Sequence, residues 1–254
     1  MSAMARRLAQ LALLVGGIAI IAVALPGPLY RFGLIGLAVA FRTMKYGAIA
    51  GMLGVGVGLV ALIAVRTARR SDGASRAILG LVLAGLAWGV PYALLRKAES
   101  VPVIHDITTD VVNPPQFQPD IVALRAAAHA ANSTVYAGAS IAALQEKAYP
   151  DIRPMTFDLP ATRVFDAALS TVAALGWKRV SADPRTGIIE ASDTTFWFGF
   201  TDDVVIRIVP AGRGSRLDIR SESRVGESDL GKNAQRIRAF RAALDARLGI
   251  AKSG

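Results

Sequence analysis

The sequence predicts two unlike halves. One is an all-α three-helix transmembrane region over residues 1–100. The other is a soluble α+β domain, an antiparallel sheet with helices on one face in the order β-α-β-β-β-β-α, over residues 120–254. Three observations point there. Apolar runs near Leu8–Leu25, Tyr46–Val65 and Ala77–Leu95 each approach the ~20 residues that cross a ~30 Å hydrocarbon layer. From Ile152 onward, alternating strand-like runs and one-sided helical stripes replace them. Charge divides the same way: residues 1–100 carry 11 Lys and Arg against 2 Asp and Glu, and residues 101–254 carry 18 against 17.

That partition decides what the net charge of +10 means. The excess lies beside apolar runs, where it sets membrane orientation. The soluble half is near neutral and lacks the clustered basic face that phosphate contacts need, which argues against nucleic acid as a partner. Hydrophobic residues make up 53% of the chain, and the mean hydropathy is +0.42. No cysteine is present, which excludes disulfides and thiolate chemistry.

Arg6 and Arg7 precede the first run and keep its start in the cytoplasm. Ala22-Val23-Ala24 has the small-x-small form of a cleavage site, but the run is longer than a signal-peptide core and favours an uncleaved span. Pro26-Gly27-Pro28 breaks it. Tyr30–Thr43 holds too few apolar residues to cross and is read as lying in the outer interface. In the second and third runs Gly47/Gly51, Gly54/Gly58, Gly80/Ala84 and Gly85/Gly89 put small residues one turn apart. This suits close helix packing within one chain, and self-association is the alternative. The loop Arg66–Arg76, with Arg66, Arg69, Arg70 and Arg76 against Asp72, is the strongest cytoplasmic signal. Three spans then carry Val101 onward to the far side of the membrane, which in a bacterium is the periplasm.

Residues 101–119 contain Pro102, Pro114, Pro115 and Pro119 and read as an extended arm. Short helices are expected over 120–130, capped by Asp120, and over 139–147. Strands are expected at 152–159, 177–182, 188–198, 204–209 and 216–224. Helices are expected at 161–175, where Val164, Phe165, Ala168 and Val172 share a stripe, and at 230–248, where Ile237, Phe240 and Leu244 do. In the last strand Arg216, Asp218, Arg220, Glu222 and Arg224 share one face, read as a solvated ion ladder. On the other face Ser221 and Ser223 follow Leu217 and Ile219; they line a polar pocket or mark where the core stops.

Three stretches carry a resemblance. They are Ile104-His105-Asp106-Ile107-Thr108-Thr109-Asp110 with Asn113-Pro114-Pro115, then Ala148-Tyr149-Pro150-Asp151-Ile152, then Ser223–Asn233 with Arg236-Ile237. Together they resemble the bacterial family of domain of unknown function 1499 over about residues 101–250. The resemblance implies kinship of fold and an envelope setting, and it carries no catalytic roles.

Candidate sites follow from residue chemistry. His105-Asp106 has the composition of a base with its orienting carboxylate or of two metal ligands, although neighbours on an extended chain point apart. Arg224, Ser228, Asp229 and Lys232 surround the expected start of the last helix, whose free amides suit an anion; ordinary capping by Asp229 is the alternative. Phe196, Phe198 and Phe200 share a face if residues 188–198 form a strand that runs on, and that face offers an apolar ligand area. No nucleophile elbow, phosphate loop, dinucleotide motif or zincin motif occurs, so no cofactor is expected. The leading expectation is a non-catalytic, membrane-anchored module that binds an envelope protein or other envelope component. A small-molecule or lipid binder using the aromatic face, and a hydrolase using His105, are the alternatives.

Overall fold

In the computed structural model, residues 3–68 and 73–250 are described. Arg69, Arg70 and Asp72 of the basic loop lie outside them. The chain divides into two compact units, Met1–Glu99 with Phe196–Gly199, and Ser100–Thr195 with Phe200–Gly254.

The first unit is helical: α1 (Ala3–Ala24), α2 (Pro26–Arg31), α3 (Leu37–Thr67) and α4 (Ala74–Glu99). Among the described residues, three helices are long and apolar enough to cross a membrane, Ala3–Arg31, Leu37–Thr67 and Ala74–Glu99. The stretch expected as one interfacial segment is divided between α2, a turn and the first turns of α3, which starts at Leu37. α1, α3 and α4 each pack on the other two. Glycine permits the close approach. A Cβ on Gly80 would stand 2.4 Å from the Ala12 carbonyl carbon, and one on Gly16 would stand 2.3 Å from the Gly80 oxygen. Gly47, Gly51, Gly54 and Gly58 are buried against neighbouring helices, whereas Gly85 and Gly89 have nothing within 4 Å. Gly80→Val is therefore expected to force α1 and α4 apart, at about 2–3 kcal/mol of overpacking or more, while Gly17→Val, which faces open space, leaves the packing intact. Thermal stability of the two variants in detergent checks this; equal midpoints would refute the contact.

The second unit is an open antiparallel sheet with helices, an α+β domain. Its elements are β1 (Asp106–Thr108), α5 (Pro119–Ala127), α6 (Ala139–Ala148), β2 (Met155–Phe157), α7 (Ala161–Ala174), β3 (Lys178–Asp183), β4 (Ile188–Thr194), β5 (Thr201–Ala211), β6 (Gly214–Ser223) and α8 (Lys232–Leu248). The sheet order is β1-β6-β5-β4-β3, and β2 shares the outer edge of β6 with β1. β1 pairs Asp106 with Glu222, and β2 pairs Met155 with Leu217. The expected succession from β2 to α8 is present.

Alternation along β4, β5 and β6 makes two buried faces. Ile189, Ala191, Val204, Ile206, Leu217 and Ile219 face α7 and α8, where Val164, Phe165, Val172, Ile237, Phe240 and Leu244 complete the core. Trp177 stacks on Phe240 with ring centroids 5.7 Å apart. The opposite face is not solvated. The arm and α5 cover it, with Phe117 and Ile121 packed on Val205. The arm is thus part of the sheet domain and supplies its edge strand. Gln145 seals that edge from outside: its amide oxygen accepts from the Thr108 N–H at 2.9 Å, and its amide nitrogen donates to the Thr108 carbonyl at 2.7 Å.

Two further expectations are corrected. β4 ends at Thr194, so Phe196, Trp197 and Phe198 lie in the turn before β5 and form no sheet face. Gln118 rather than Asp120 is the residue preceding α5, with Pro119 opening the helix, as suits a residue whose missing N–H costs nothing there.

Candidate functional site: buried ion pairs on both sheet faces and a groove along α8

The face covered by the arm holds a chain of alternating basic and acidic side chains. Arg220, fully buried, makes a fork to Asp106 with Nε and Nη2 each 2.9 Å from a carboxylate oxygen. Nη2 also reaches the Thr134 carbonyl at 2.9 Å and Glu222 at 3.4 Å. Arg125 of α5 donates to Glu222 at 3.1 Å and to Asp203 at 3.0 Å. Arg224 forks onto Asp203 at 2.9 and 2.8 Å, where Ser192 Oγ also donates at 2.7 Å. Phe117 lies under Arg220 with its ring centroid 4.9 Å away. Further along the same face, Arg207 and Arg216 both donate to Asp110 and Asp218.

The charged face of the last strand is thus covered, not a solvated ladder: Asp218, Arg220 and Glu222 are at most 1% exposed, and Arg216 and Arg224 are half-buried. A buried charge needs an opposite charge and matched donors, and α5 and the arm bring Arg125, Asp106 and Asp110 to meet that need. Burial, and next the nearby Asp106, raise the Glu222 pKa to about 8 against the opposing pull of Arg125 and Arg220. Desolvation likewise raises Tyr136 to about 12.

The opposite face, beneath α8, has a second network. Asn233 sits at its centre. Its amide oxygen accepts from Ser221 Oγ at 2.7 Å and from Arg236, and its amide nitrogen donates to Ser223 Oγ at 3.0 Å and to the His105 carbonyl at 2.8 Å. Arg236 reaches Asp202 at 2.6 Å and Asp193 at 2.8 Å.

The expected site residues are therefore divided. Ser221, Ser223 and the main chain of His105 meet at Asn233; Asp106 and Arg224 lie across the sheet. His105 Nδ1 is 3.2 Å from the Glu227 carbonyl and does not meet the Asp106 carboxylate, which Arg220 holds. Asp229 takes the Gly231 N–H at 2.8 Å and the Asn233 N–H at 2.6 Å, so its carboxylate occupies the α8 start where an anion was weighed. Burial raises the Asp229 pKa against those two amide bonds. Arg224 is bound to Asp203, Ser228 Oγ accepts from the Leu230 N–H at 3.4 Å, and Lys232 is exposed. These four do not form one receptor.

Sequence reasoning gave no site role to Arg125, Asn233 or Arg236, because a charged or amide residue on a helix reads as surface until the opposite strand is known. Asp202 and Asp203 fall between the strands expected at 188–198 and 204–209. Both belong to β5, one on each face, and the signal was the adjacency of two carboxylates in a strand-like run. Among the described residues no group of three or more His, Asp or Glu is placed to hold a metal ion.

One opening is neither capped nor filled by these networks. A groove of about 390 Å³ runs along α8 beside the segment leading into β2. Ile152, Met155 and Ile237 give it an apolar floor. Its rim is paired: Arg238 holds Asp151 at 2.6 Å, Arg153 holds Glu146 at 2.8 Å, and Arg241 lies 3.8 Å from Asp245. The Arg238 fork keeps the Asp151 carboxyl below its usual range.

An α+β domain whose buried charged side chains are locked in internal pairs, carried on a chain with three membrane-length helices among the described residues, is the class that the fold and these networks define. The chain belongs to the family described as protein of unknown function (DUF1499), whose model matches residues 106–244, from the first residue of β1 into α8. Comparison with curated proteins gives no match.

Proposed function

We propose that this chain is a membrane-anchored binding module without catalytic activity, whose sheet unit stands on the periplasmic side of a bacterial inner membrane and holds a segment of an envelope protein in the groove along α8. The observation that carries the reading is a contrast. The buried charged groups of both sheet faces are committed to internal partners, so their carboxylates are held by arginines rather than poised as bases. The groove combines an apolar floor with a rim whose charges already neutralise one another, a surface that takes apolar anchors while demanding no counter-charge. Orientation rests on Arg6, Arg7, Arg66 and Arg76 flanking the helices on one side.

A photo-crosslinking residue at Ala242, in the full chain in its native membrane, is expected to give one discrete protein adduct. Met155→Arg, which places a charge on the groove floor, is expected to abolish it. No adduct at Ala242, or one indifferent to Met155→Arg, sinks the groove as a docking site. Alkaline phosphatase fused after Gly254 is expected to be active; an inactive fusion paired with a fluorescent cytoplasmic reporter at the same point reverses the orientation.

A further inference from the structure

The first unit contains four residues from far along the chain, Phe196–Gly199, and the reason lies in a proline. Pro28 has no N–H, so the carbonyl four residues earlier, on Ala24, receives no helical hydrogen bond from it. Trp197 supplies one: its indole Nε1 donates to the Ala24 oxygen at 2.9 Å. Gly27 makes room, since a Cβ there would stand 2.6 Å from the indole ring. The neighbouring groups repeat the fit. Arg31 donates to the Phe196 carbonyl and lies over the Phe196 ring at 5.6 Å. Phe198 meets Tyr30 at 6.0 Å and Phe41 at 5.6 Å. Gly199, at φ +70°, faces the Arg31 side chain.

Around this cluster the surface is aromatic and cationic. Phe196 is 89% exposed, Phe32 75% and Tyr46 63%, and Arg31, Arg42 and Lys45 stand among them in the sequence. Amphipathic rings and snorkelling cations are the chemistry of the headgroup–acyl boundary. We infer that the turn Phe196–Gly199 is a lipid-interface anchor, with Trp197 seated on the Ala24 carbonyl and Phe196 entering the boundary of the bilayer. The inference rests on the reading that the three long helices span a membrane.

The test uses the full chain in phosphatidylcholine vesicles, with bromine either at acyl carbons 6 and 7 or at 11 and 12. In W88F/W177F, which leaves Trp197 as the sole emitter, shallow bromine is expected to quench at least about twofold and deep bromine less, as interfacial depth requires. W177F/W197F reports Trp88 of α4 as the control for spanning. Trp88 quenched but Trp197 not overturns the anchor and leaves the spanning helices standing; neither quenched overturns both. Trp197 shielded from acrylamide yet insensitive to bromine points to a protein surface and also overturns it. Gly27→Ala in the W88F/W177F background is expected to raise acrylamide quenching of Trp197 by about twofold or more, because the added methyl displaces the indole, while Gly17→Ala leaves it unchanged; no difference between them overturns the seat. Should W177F unfold the sheet unit, 5-fluorotryptophan in the otherwise unsubstituted chain reads the same contact. Its Trp197 resonance, assigned by loss in W197F, is expected to broaden with a headgroup-level spin-labelled lipid, and an unbroadened line overturns the anchor.

Discussion

Arg220→Ala is expected to destabilise the sheet unit by about 3–5 kcal/mol, the cost of breaking a buried ion pair from one side. At roughly 2–4 °C per kcal/mol for a chain of this size, that is a fall in midpoint on the order of 10 °C. Truncation removes the fork to Asp106, the bond to the Thr134 carbonyl and the cation over Phe117. It leaves Asp106, 6% exposed, beside the fully buried Glu222. Arg220→Met with Asp106→Leu removes both ends of the pair and is expected to cost less than Arg220→Ala alone, because no uncompensated charge stays behind. Thermal unfolding followed by near-ultraviolet circular dichroism separates the variants. A loss below about 1 kcal/mol for Arg220→Ala, the scale of a surface pair, would show that the network is not what holds the arm to the sheet.

Raising the pH from 5 to 9 is expected to weaken the sheet unit, with Glu222 as the largest contributor. Its pKa rises to about 8 in the folded chain from an ordinary 4.5, so the folded state holds this proton more tightly than the unfolded state does. The stabilisation is complete below the unfolded value, declines as pH climbs and is gone above about 8. The shift corresponds to roughly 3–5 kcal/mol across that interval. Glu190 and Asp229 are also raised by burial and act in the same direction. The lowered Asp151 has the opposite sign and is felt only in acid. Glu222→Gln fixes the neutral form, so it is expected to match the wild type near pH 5, exceed it at pH 9 and flatten the profile without abolishing the slope. Chemical denaturation at five pH values checks this; identical slopes for the two proteins would remove Glu222 as the titrating group.

The elements carrying strong periodicity were legible. The stripe of Val164, Phe165, Ala168 and Val172 marked α7, and the alternation of Leu217 and Ile219 marked β6, because one-sided burial is written directly into side-chain spacing. β1 was not, since three residues of Asp-Ile-Thr carry no period and take strand form only when β6 lies beside them. The ion ladder was seen as a pattern and misplaced in its environment. Alternating charge on a strand has the same appearance whether water or a proline-rich arm covers it, and Arg125, which decides between the two, is 95 residues distant from Arg220. The site was the least legible part. Asn233 gathers Ser221, Ser223 and the His105 carbonyl only because α8 returns over the end of β6.

The pairing of β1 with β6 joins Asp106 to Glu222 across 116 residues of chain. Such distant closure raises contact order and slows folding, since the loop entropy is lost before the contacts form. During synthesis from the N-terminus the arm emerges long before its partner strand exists. Asp106 must therefore wait, hydrated and single, until β6 has been made, and termination anywhere before Arg220 strands it permanently.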